Sequence, residues 1–590
     1  MNVLIPLIVG MGLLVLAAST YPYMLCRLLG VDDKNPTPAY RFRDGRDYVP
    51  TRTHVVFAHH FSVIAGAGPI VGPTLALVYG WGPVWLWIIL GCALFGAVHD
   101  MTGMFVSMRE EGRSIADMAR RSLGGSGYLL FLVFLIMILT LINAIFLNLS
   151  CKALTAAYPA TMLKLTPADH LLHTFMSKDG VLMGRIGGIA TTSVLIITAF
   201  APLIGWLFYK KHWRTLPLYV LAIVIGIASV AVGFSFPVLL DEGTWRYVLS
   251  LYIFAACWLP VWLVLQPRDF INVQILYGGV LALMAGLIYL GLHGHVMSAD
   301  MFSVAQGARF SGGPIWPFLF ITVACGAISG FHSMAVTGTT VKQITSESEV
   351  RRIGYNAMIL EGVLALMSLL LLASALPTTE YLNIVFPATH DGNPILAFSI
   401  AMGYMLNNMT GLKVAIGAVL GILVLEGFVL TTLDTAVRLC RYMLEEFWSF
   451  VFIGKQPALL RNAFFNTAVS VGLMLFFALN STIMSAWKVF GAGNQLIAAL
   501  AMTIVSVWLL QRARSYWFAL IPAIVMTVTT FATLMISLKH YLAPSGSGLL
   551  IKEGQMPLAF ATALLLILAT GVLIVSIRKF RELRLERKAV

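Results

Sequence analysis

The feature that most constrains this chain is the repetition of apolar runs long enough to cross a lipid bilayer. About 20 mainly apolar residues span the hydrocarbon core, and within that core a helix satisfies its own backbone hydrogen bonds. We therefore predict an all-α polytopic membrane protein. The sequence contains about fifteen such runs, at 2–21, 57–79, 82–107, 127–150, 187–209, 216–236, 247–265, 275–293, 315–335, 354–376, 414–437, 462–480, 486–510, 516–538 and 557–577, and a shorter stretch near 394–409 is predicted to be re-entrant or interfacial.

Charged residues are too few to cover a surface that faces water. They make up 11% of the 590 residues, against about 25% in soluble proteins, which excludes a soluble enzyme, a disordered chain and a nucleic-acid binder. The six cysteines form no Cys-x-x-Cys pair, so neither a disulfide framework nor a zinc site is implied. The sequence has no nucleotide-binding loop. We expect no cofactor, and we expect an ion gradient to supply the energy.

The basic residues indicate the orientation of the chain in the membrane. If the amino terminus is outside, about 29 of the 39 lysines and arginines fall in the loops that face inward, at 22–56, 108–126, 210–215, 266–274, 336–353, 438–461, 511–515 and 578–590. Such an excess is typical of cytoplasmic loops. We predict an outside amino terminus and an inside carboxyl terminus. The first run lacks a cleavage signal and is expected to remain as a membrane helix.

Two of the predicted spans carry clusters of glycine, proline and serine that interrupt a helix. The central residues are Gly66, Ala67, Gly68 and Pro69 in span 57–79, and Ser329, Gly330, His332 and Ser333 in span 315–335. By the loop charges the two spans run in opposite directions, as inverted repeats require, and half-helix amino termini hold anionic groups in such transporters. We predict that these residues bind the substrate. The alternative is close helix packing through small residues.

Histidines and acids near the two interruptions are candidates for proton coupling. His59 and His60 precede the first interruption, Asp100 lies inside span 82–107, and Glu426 is the most central acid of the chain. Imidazole titrates near physiological pH, and a charge at the bilayer centre costs about 2.5–3.5 kcal/mol on an insertion scale. We predict that these four residues handle the coupling proton. The alternative is a structural role through a hydrogen bond to a neighbouring helix.

A third group of polar residues lies toward the end of span 414–437. Thr431, Thr432 and Asp434 form an oxygen-rich patch that suits a small cation, and a fixed interaction that replaces the cation is the other interpretation. Glu361 and Lys488 lie close to the ends of their predicted spans. Long side chains at such positions reach the interface, so we expect both residues there.

Short motifs between about residues 30 and 500 are the most specific signal in the sequence. They are Asn35–Pro38, Arg43–Thr51, His59–Phe61, Ala65–Pro69, Gly72–Pro73, His99–Asp100, Ser329–Ser333, Gly338–Ile344, Thr431–Thr435 and Gly491–Leu496. This series resembles the carbon starvation protein A family of bacterial inner-membrane transporters. The resemblance implies import of small carbon sources, with pyruvate and short peptides as the candidate substrates and protons as the driving ion.

The resemblance also implies a five-plus-five inverted-repeat core of the amino acid/polyamine/organocation type, with accessory helices. Span 57–79 then corresponds to the first core helix, span 315–335 to the sixth and span 414–437 to the eighth. Related sodium-coupled carriers place hydroxyl ligands on the eighth helix, near the position of Thr431 and Thr432. We expect a first span with a basic loop at 1–56, two halves of the core at 57–310 and 311–510, and accessory spans with a basic tail at 511–590.

These observations lead to one hypothesis and two alternatives. The hypothesis is a proton-coupled symporter of a small carboxylate, with pyruvate as the best single candidate and sodium as a possible coupling ion. The alternatives are an importer of short peptides and a nutrient sensor that uses a transporter fold without net flux. No pair of nucleophile and base supports an intramembrane enzyme. The lipid bilayer and the small substrate are the expected partners, and the oligomeric state is left open.

Overall fold

The structure is a computed structural model, and it consists mainly of helices. It describes residues 1–44, 48–165, 171–177, 180–211, 213–259, 263–388, 391–542 and 556–589. Residues 45–47 of the Arg43–Thr51 motif lie outside these ranges.

The helices are α1 Leu4–Leu29, α2 Pro38–Arg41, α3 Thr53–Ile64, α4 Gly68–Ala76, α5 Trp81–Gly91, α6 Ala97–Arg109, α7 Ile115–Leu154, α8 Gly187–Tyr209, α9 Thr215–Ser235, α10 Glu242–Trp258, α11 Leu265–Leu292, α12 Val304–Ser311, α13 Ile315–Thr322, α14 Ala324–Ala327, α15 Phe331–Gly338, α16 Asn356–Ala375, α17 Thr378–Val385, α18 Pro394–Thr410, α19 Val414–Val451, α20 Ala458–Arg461, α21 Ala463–Leu479, α22 Ile483–Gln511, α23 Trp517–Tyr541 and α24 Met556–Ala589. The π-helical turns Cys92–Gly96 and Arg351–Tyr355 join α5 to α6 and precede α16, and the 3₁₀ turns are Leu77–Tyr79 and Thr340–Gln343. The strands are β1 Ala157–Pro159, β2 Thr174–Met176 and β3 Leu182–Arg185.

Eleven helices in the described part of the chain are long and apolar enough to cross a membrane. Each coincides with one of the predicted spans. Of the other four predicted spans, 57–79 and 315–335 are divided into shorter helices, and 247–265 and 462–480 correspond to helices of 17 residues. The protein is therefore a multi-pass membrane protein.

Burial separates central helices from peripheral ones. In the most apolar stretch of α22, 94% of the residues are buried inside the protein, whereas in α1 the share is 22%. α16 resembles α22, with 89% buried, and α9 and α11 resemble α1, with 33% each. Because apolar residues on α1, α9 and α11 face outward, these helices are suited to contact lipid, and α16 and α22 form the core.

The loops meet in two groups, on opposite faces of the bundle. On one face the Val3 amide donates to the His295 carbonyl at 3.4 Å, so the start of α1 lies beside the end of α11. On the other face Arg109 Nε lies 2.8 Å from Glu347 Oε1, and the Asp32 amide donates to the same carboxylate. The end of α1 and the end of α6 therefore lie together, opposite the amino terminus.

A small sheet is the one element type in the described chain that the all-α prediction omits. Its order is β1-β3-β2, and both pairs are antiparallel, with Ala157 opposite Arg185 and Thr174 opposite Gly184. The strands contain three or four residues each. Segments this short carry no readable alternation of apolar and polar residues, which explains why the sequence pattern did not indicate them.

Helix α11 begins ten residues before the predicted span 275–293. The predicted inward loop 266–274 is wrong, because these residues form the first turns of α11, and Arg268 within it is 0% exposed. The stretch near 394–409 is a helix, α18, that packs along the first half of α19. A Cβ atom added at Gly403 would lie 2.6 Å from the Val414 carbonyl oxygen, so the two helices approach closely there.

Candidate functional site

The first interruption separates α3 from α4 at residues 65–67. Helix α3 ends at Ile64, and the Gly66 amide donates to the Ile64 carbonyl at 2.7 Å in a tight turn. Pro69 has no N–H, and in a continuous helix its ring would clash with the carbonyl of residue 65. At the start of a new helix the missing N–H carries no cost. The position of Pro69 in the first turn of α4 therefore explains why the chain breaks before it.

The second interruption lies between α14 and α15, and a side chain from α22 holds it. Ile328 is extended, with φ −162° and ψ 130°. The Gly330 amide donates to the backbone carbonyl of Asn494 at 3.1 Å, and the Phe331 amide donates to Asn494 Oδ1 at 2.9 Å. Asn494 Nδ2 also donates to the Ser329 hydroxyl at 3.2 Å. Two of the amides that the break frees are thus already bonded within the protein.

The two interruptions lie against each other. A Cβ atom added at Gly68 would be 2.2 Å from Cys325 Cβ, and one added at Gly72 would be 2.9 Å from the Thr322 carbonyl oxygen. Such distances leave no room for any side chain at either position. The structure therefore contains both of the predicted interruptions, and the glycines of the first allow the backbone of the second to approach.

Four ionisable side chains form a buried group beside these interruptions, which we name the break cluster: His99, Asp100, His332 and Glu361. His332 lies in the first turn of α15, with Nδ1 2.8 Å from Asp100 Oδ2 and Nε2 3.2 Å from Glu361 Oε2. His99 Nδ1 is 2.7 Å from the other Asp100 oxygen. All four residues are buried. One imidazole thus lies between two carboxyl groups.

The prediction that Glu361 lies at the membrane interface is wrong. Glu361 is 0% exposed to solvent. The π-helical turn at Arg351–Tyr355 extends the helix toward its amino terminus, so that the whole span runs over Arg351–Ala375. Glu361 lies ten residues into that span, or about 15 Å along the axis at about 1.5 Å per residue. Neither of its carboxyl oxygens has a hydrogen-bond partner in the described chain.

The other predicted proton-handling residues are not members of the break cluster. His60 is buried on α3, with Nδ1 2.9 Å from the Thr340 hydroxyl oxygen, and the neighbouring His59 is exposed. Glu426 is buried on α19 next to Ser150 of α7. Within the described chain the oxygens of the Glu426 carboxyl make no hydrogen bond of good geometry. Asp100 is the predicted proton residue that the structure brings into direct contact with the interruptions.

A second buried group of charges joins α10, α11 and α19, and we name it the arginine cluster: Tyr252, Arg268, Asp269, Thr431 and Asp434. One nitrogen of the Arg268 guanidinium donates to Asp434 Oδ2 and to the Tyr252 hydroxyl. The other donates to Asp269 Oδ1 at 3.2 Å and to Thr431 Oγ1 at 3.3 Å. Arg268 and Asp434 are both buried. The guanidinium therefore links a carboxylate and a hydroxyl on α19 to α10 and α11.

The predicted cation patch is consequently divided between two surroundings. Thr431 and Asp434 belong to the arginine cluster, where Arg268 already supplies a positive charge. Thr432 contacts the first interruption, since a Cβ atom added at Gly66 would be 3.0 Å from its hydroxyl oxygen. The Thr432 hydroxyl donates to the Phe428 carbonyl at 2.8 Å. Among the described residues no group of three or more His, Cys, Asp or Glu side chains is arranged to hold a metal ion.

The break cluster has the chemistry of a site that takes up and releases protons. Imidazole changes charge near neutral pH, and each carboxyl group beside it accepts or donates a proton according to its surroundings. Sequence reasoning indicated His332 and Asp100 but missed Glu361, Asn494 and Arg268. Of these, Asn494 lies in the Gly491–Leu496 motif, and that motif is the one signal that pointed to it.

Comparison with known proteins identifies the family of the chain. A family model described as carbon starvation protein CstA matches residues 2–394 and 385–533. The peptide transporter CstA of Bacillus subtilis (strain 168) is 29% identical over 623 residues, which cover 99% of this chain and 98% of the relative. The peptide transporter CstA of Escherichia coli (strain K12) is 30% identical, with 86% and 77% covered, and the pyruvate/proton symporter BtsT of the same organism is 29% identical, with 86% and 78% covered. The chain therefore belongs to the carbon starvation protein CstA family and is a membrane transporter, not an enzyme.

Proposed function

We propose that this protein imports a small carboxylate, with pyruvate as the first candidate, together with protons across the bacterial inner membrane. The pyruvate/proton symporter among its relatives supports this substrate and this ion. The excess of basic residues in one set of loops supports an outside amino terminus. Two interrupted helices that run in opposite directions support a five-plus-five inverted-repeat core, in which one repeat rocks against the other to expose the site to each side in turn.

The observation that carries the proposal is the break cluster at the point where the two interrupted helices meet. With His332 protonated and both carboxyl groups of Asp100 and Glu361 ionised, these three side chains bear one net negative charge. One further proton makes them neutral. Because a charge inside the bilayer is costly, a substrate anion and a proton that enter together add no net charge to the site. Coupling then follows from electrostatics, and because His332 is already protonated in this state, we assign the further proton to the Glu361 carboxylate.

The substrate carboxylate is expected to bind at the start of α4. This helix begins at Gly68, and the amino terminus of a helix carries partial positive charge. The Ile70 and Val71 amides already donate to the Ala67 carbonyl, so within the described chain the amides of Ala67 and Gly68 are the ones left for an anion. At the second interruption Asn494 already accepts from the amides of Gly330 and Phe331. We therefore assign the main carboxylate contacts to the segment Gly66–Pro69, and we assign Ser329 and Ser333 as hydroxyl groups that complete the pocket.

The arginine cluster supports protons over sodium as the coupling ion. Carriers of this type that use sodium need an oxygen-lined site for the ion. Here the guanidinium of Arg268 lies against Asp434 and Thr431, two of the three residues that would form such a site. A fixed positive charge in that position repels a second cation. The Arg268 guanidinium thus lies where a coupling sodium ion would otherwise bind in this region of the fold.

A short peptide is the second candidate substrate. The relatives from Bacillus subtilis and Escherichia coli that are called peptide transporters support it. A peptide brings an ammonium group as well as a carboxylate, so its pocket needs an acid that can bind the ammonium group. Glu361 is the candidate, because its oxygens accept no hydrogen bond within the described chain and its ion-pair neighbour there is an imidazole, His332 at 3.2 Å, that can lose its charge. In that case Glu361 would bind the ammonium group instead of a coupling proton.

Uptake by the purified protein in liposomes tests both candidates. Labelled pyruvate and a labelled dipeptide are offered under an inward pH gradient, under an inward sodium gradient, and with each gradient collapsed. We expect pyruvate to accumulate only when the pH gradient is present. Pyruvate uptake that survives collapse of the pH gradient contradicts proton coupling. Accumulation of the dipeptide without pyruvate supports the second candidate, and the absence of uptake of either compound contradicts both.

A further inference from the structure

A cavity of about 380 Å³, lined by both charged and apolar side chains, lies near the start of α22. It is bounded by the end of α12, the start of α13, the loop after α17 and the end of α23. The ionisable residues that line it among the described residues are Arg309, Asp391, Lys488 and His540. Phe318 of α13 forms part of the wall. The cavity is separate from the break cluster, and none of the residues assigned above to substrate or proton binding lines it.

Two of the cations in this cavity have no acidic partner in the described chain. The Lys488 ammonium lies 5.4 Å from the centre of the Phe318 ring, and the Arg309 guanidinium lies 5.5 Å from the centre of the Phe310 ring. The ion pairs that the structure describes include neither residue. Asp391, the acid in the wall, already accepts from the Ile483 amide at 3.2 Å. The aromatic rings hold the two cations in place through cation–π attraction, and their charges remain available to an anion.

The cavity and the second interruption lie along the same helix, α22. Lys488 and Asn494 are on the same helix, α22, six residues apart, which corresponds to about 9 Å along the axis. Asn494 holds the amides of Gly330 and Phe331. Phe318 belongs to α13, the segment that leads into this interruption. Along the axis of α22, an anion held at Lys488 is therefore a little more than one and a half helical turns from the residue that holds the second interruption.

We propose that this cavity is an entry site where Lys488 and Arg309 bind the carboxylate of the substrate before it reaches the interrupted helices. The proposal rests on the function proposed above, and it adds a residue pair and a location that the central site does not contain. Carboxylate is the chemistry that two neighbouring cations recognise, and charges in a cleft raise the local concentration of an oppositely charged substrate. With the amino terminus outside, the cavity opens on the outer face, where an imported substrate arrives.

The test compares three single variants in the liposome assay. K488Q and R309Q each remove one charge from the cavity. K539Q removes a charge from an exposed lysine of α23 that does not line it, and serves as the matched control. We expect the KM for pyruvate to rise about tenfold in K488Q and in R309Q, because each variant loses a charge-assisted contact to the carboxylate. The maximal rate should stay at the wild-type level, and K488R should restore the KM.

The same assay separates the substrate from a lipid headgroup, which also carries an anion. The variants are measured in liposomes of phosphatidylcholine alone and in liposomes with added phosphatidylglycerol. A rise in KM in both membranes supports the entry site. A rise only with the anionic lipid means that a headgroup occupies the cavity and overturns the proposal, as does a KM equal to that of K539Q. If wild-type protein accumulates no carboxylate at all, the proposed function has failed, which is a different result from a wild-type rate with unchanged KM in the variants.

Discussion

The break cluster and the arginine cluster are both buried groups of charges, but they contain different kinds of cation. In the arginine cluster the cation is the guanidinium of Arg268, which does not lose its proton in proteins. In the break cluster it is the imidazole of His332, which changes charge near neutral pH. The first positive charge is permanent, and the second can be switched by a proton.

The two clusters also differ in how many hydrogen bonds hold their charged side chains in place. Arg268 donates to four side chains from three helices or their first turns, so its position is fixed from several directions. In the break cluster Glu361 lies 3.2 Å from His332 and accepts no hydrogen bond within the described chain. Hydrogen bonds therefore do not hold the Glu361 carboxyl group in one protonation state. We infer that the arginine cluster fixes the helices and that the break cluster performs the exchange.

Removal of the fixed cation should have the largest effect. Replacement of Arg268 by alanine leaves the Asp434 carboxylate buried without its charge partner, and loss of one member of a buried pair costs about 3–5 kcal/mol. We expect Arg268→Ala to lower the free energy of unfolding by that amount and to reduce the yield of folded protein. Thermal unfolding of the detergent-solubilised protein measures the change.

A double variant tests whether the loss comes from the unpaired charge. Addition of Asp434→Asn to Arg268→Ala removes the buried carboxylate, so we expect part of the stability to return. Arg268→Lys keeps the charge but not the planar fork that reaches several acceptors, and should fall between wild type and Arg268→Ala. A stability of Arg268→Ala within about 1 kcal/mol of wild type, below the range for a broken buried pair, contradicts the structural role.

Replacement of the Glu361 carboxyl group, which we propose holds the coupling proton, should affect transport and leave the fold intact. Glu361→Gln keeps the size and shape of the side chain but cannot take up or release a proton. We expect accumulation of pyruvate under a pH gradient to fall to the level of liposomes without protein. Exchange of labelled for unlabelled pyruvate at equal pH on both sides should continue, because the substrate site remains.

Glu445→Gln is the matched control for this variant, since Glu445 lies near the end of α19, 3.6 Å from Arg441 and outside the break cluster. It should accumulate pyruvate as wild type does. If Glu361→Gln also accumulates pyruvate normally, the coupling proton is not held at Glu361. Loss of both accumulation and exchange would instead assign Glu361 to substrate binding, as the peptide candidate requires.

The contrast between the clusters also explains what the sequence could predict. The local sequence was enough to predict the interruptions, because Pro69 and the glycines around it exclude a continuous helix wherever the rest of the chain lies. Apolar runs were likewise enough to locate the eleven helices that can cross the membrane. These features depend on a few neighbouring residues, and the sequence contains all of them.

The partners of charged residues were not predictable in this way, because they come from distant parts of the chain. Arg268 was counted with the loops since a lone arginine near the end of an apolar run is typical of a loop, and Asp434 is 166 residues away. Glu361 was placed at the interface because a sequence does not reveal that a π-helical turn extends its helix. Both errors concern depth in the membrane, which depends on how the helices pack.

Replacement of Asn494, which holds the second interruption beside the break cluster, should have a smaller effect on stability. Asn494→Ala leaves the Phe331 amide and the Ser329 hydroxyl without their partner at the second interruption. A buried polar group without a partner costs about 1–3 kcal/mol, so we expect a fall in the free energy of unfolding of about 2 kcal/mol. Asn494→Asp retains the accepting oxygen and should lose less. Equal stability of Asn494→Ala and wild type would mean that water replaces the side chain.

The smallest expected effect concerns His60, which lies near the break cluster without contacting it. Thr340→Val keeps the shape of the side chain but removes the oxygen 2.9 Å from His60 Nδ1. One hydrogen bond contributes about 0.5–1.5 kcal/mol, so the free energy of unfolding should fall by about 1 kcal/mol.

If His60 takes part in proton transfer, the pH at which uptake is half-maximal should also move, by less than about one unit, because one pH unit corresponds to about 1.4 kcal/mol. Uptake measured across a pH series in Thr340→Val and wild type distinguishes the two roles, and we expect the shift. A loss of stability with an unchanged pH profile would make His60 a structural residue and confine proton coupling to His332, Asp100 and Glu361.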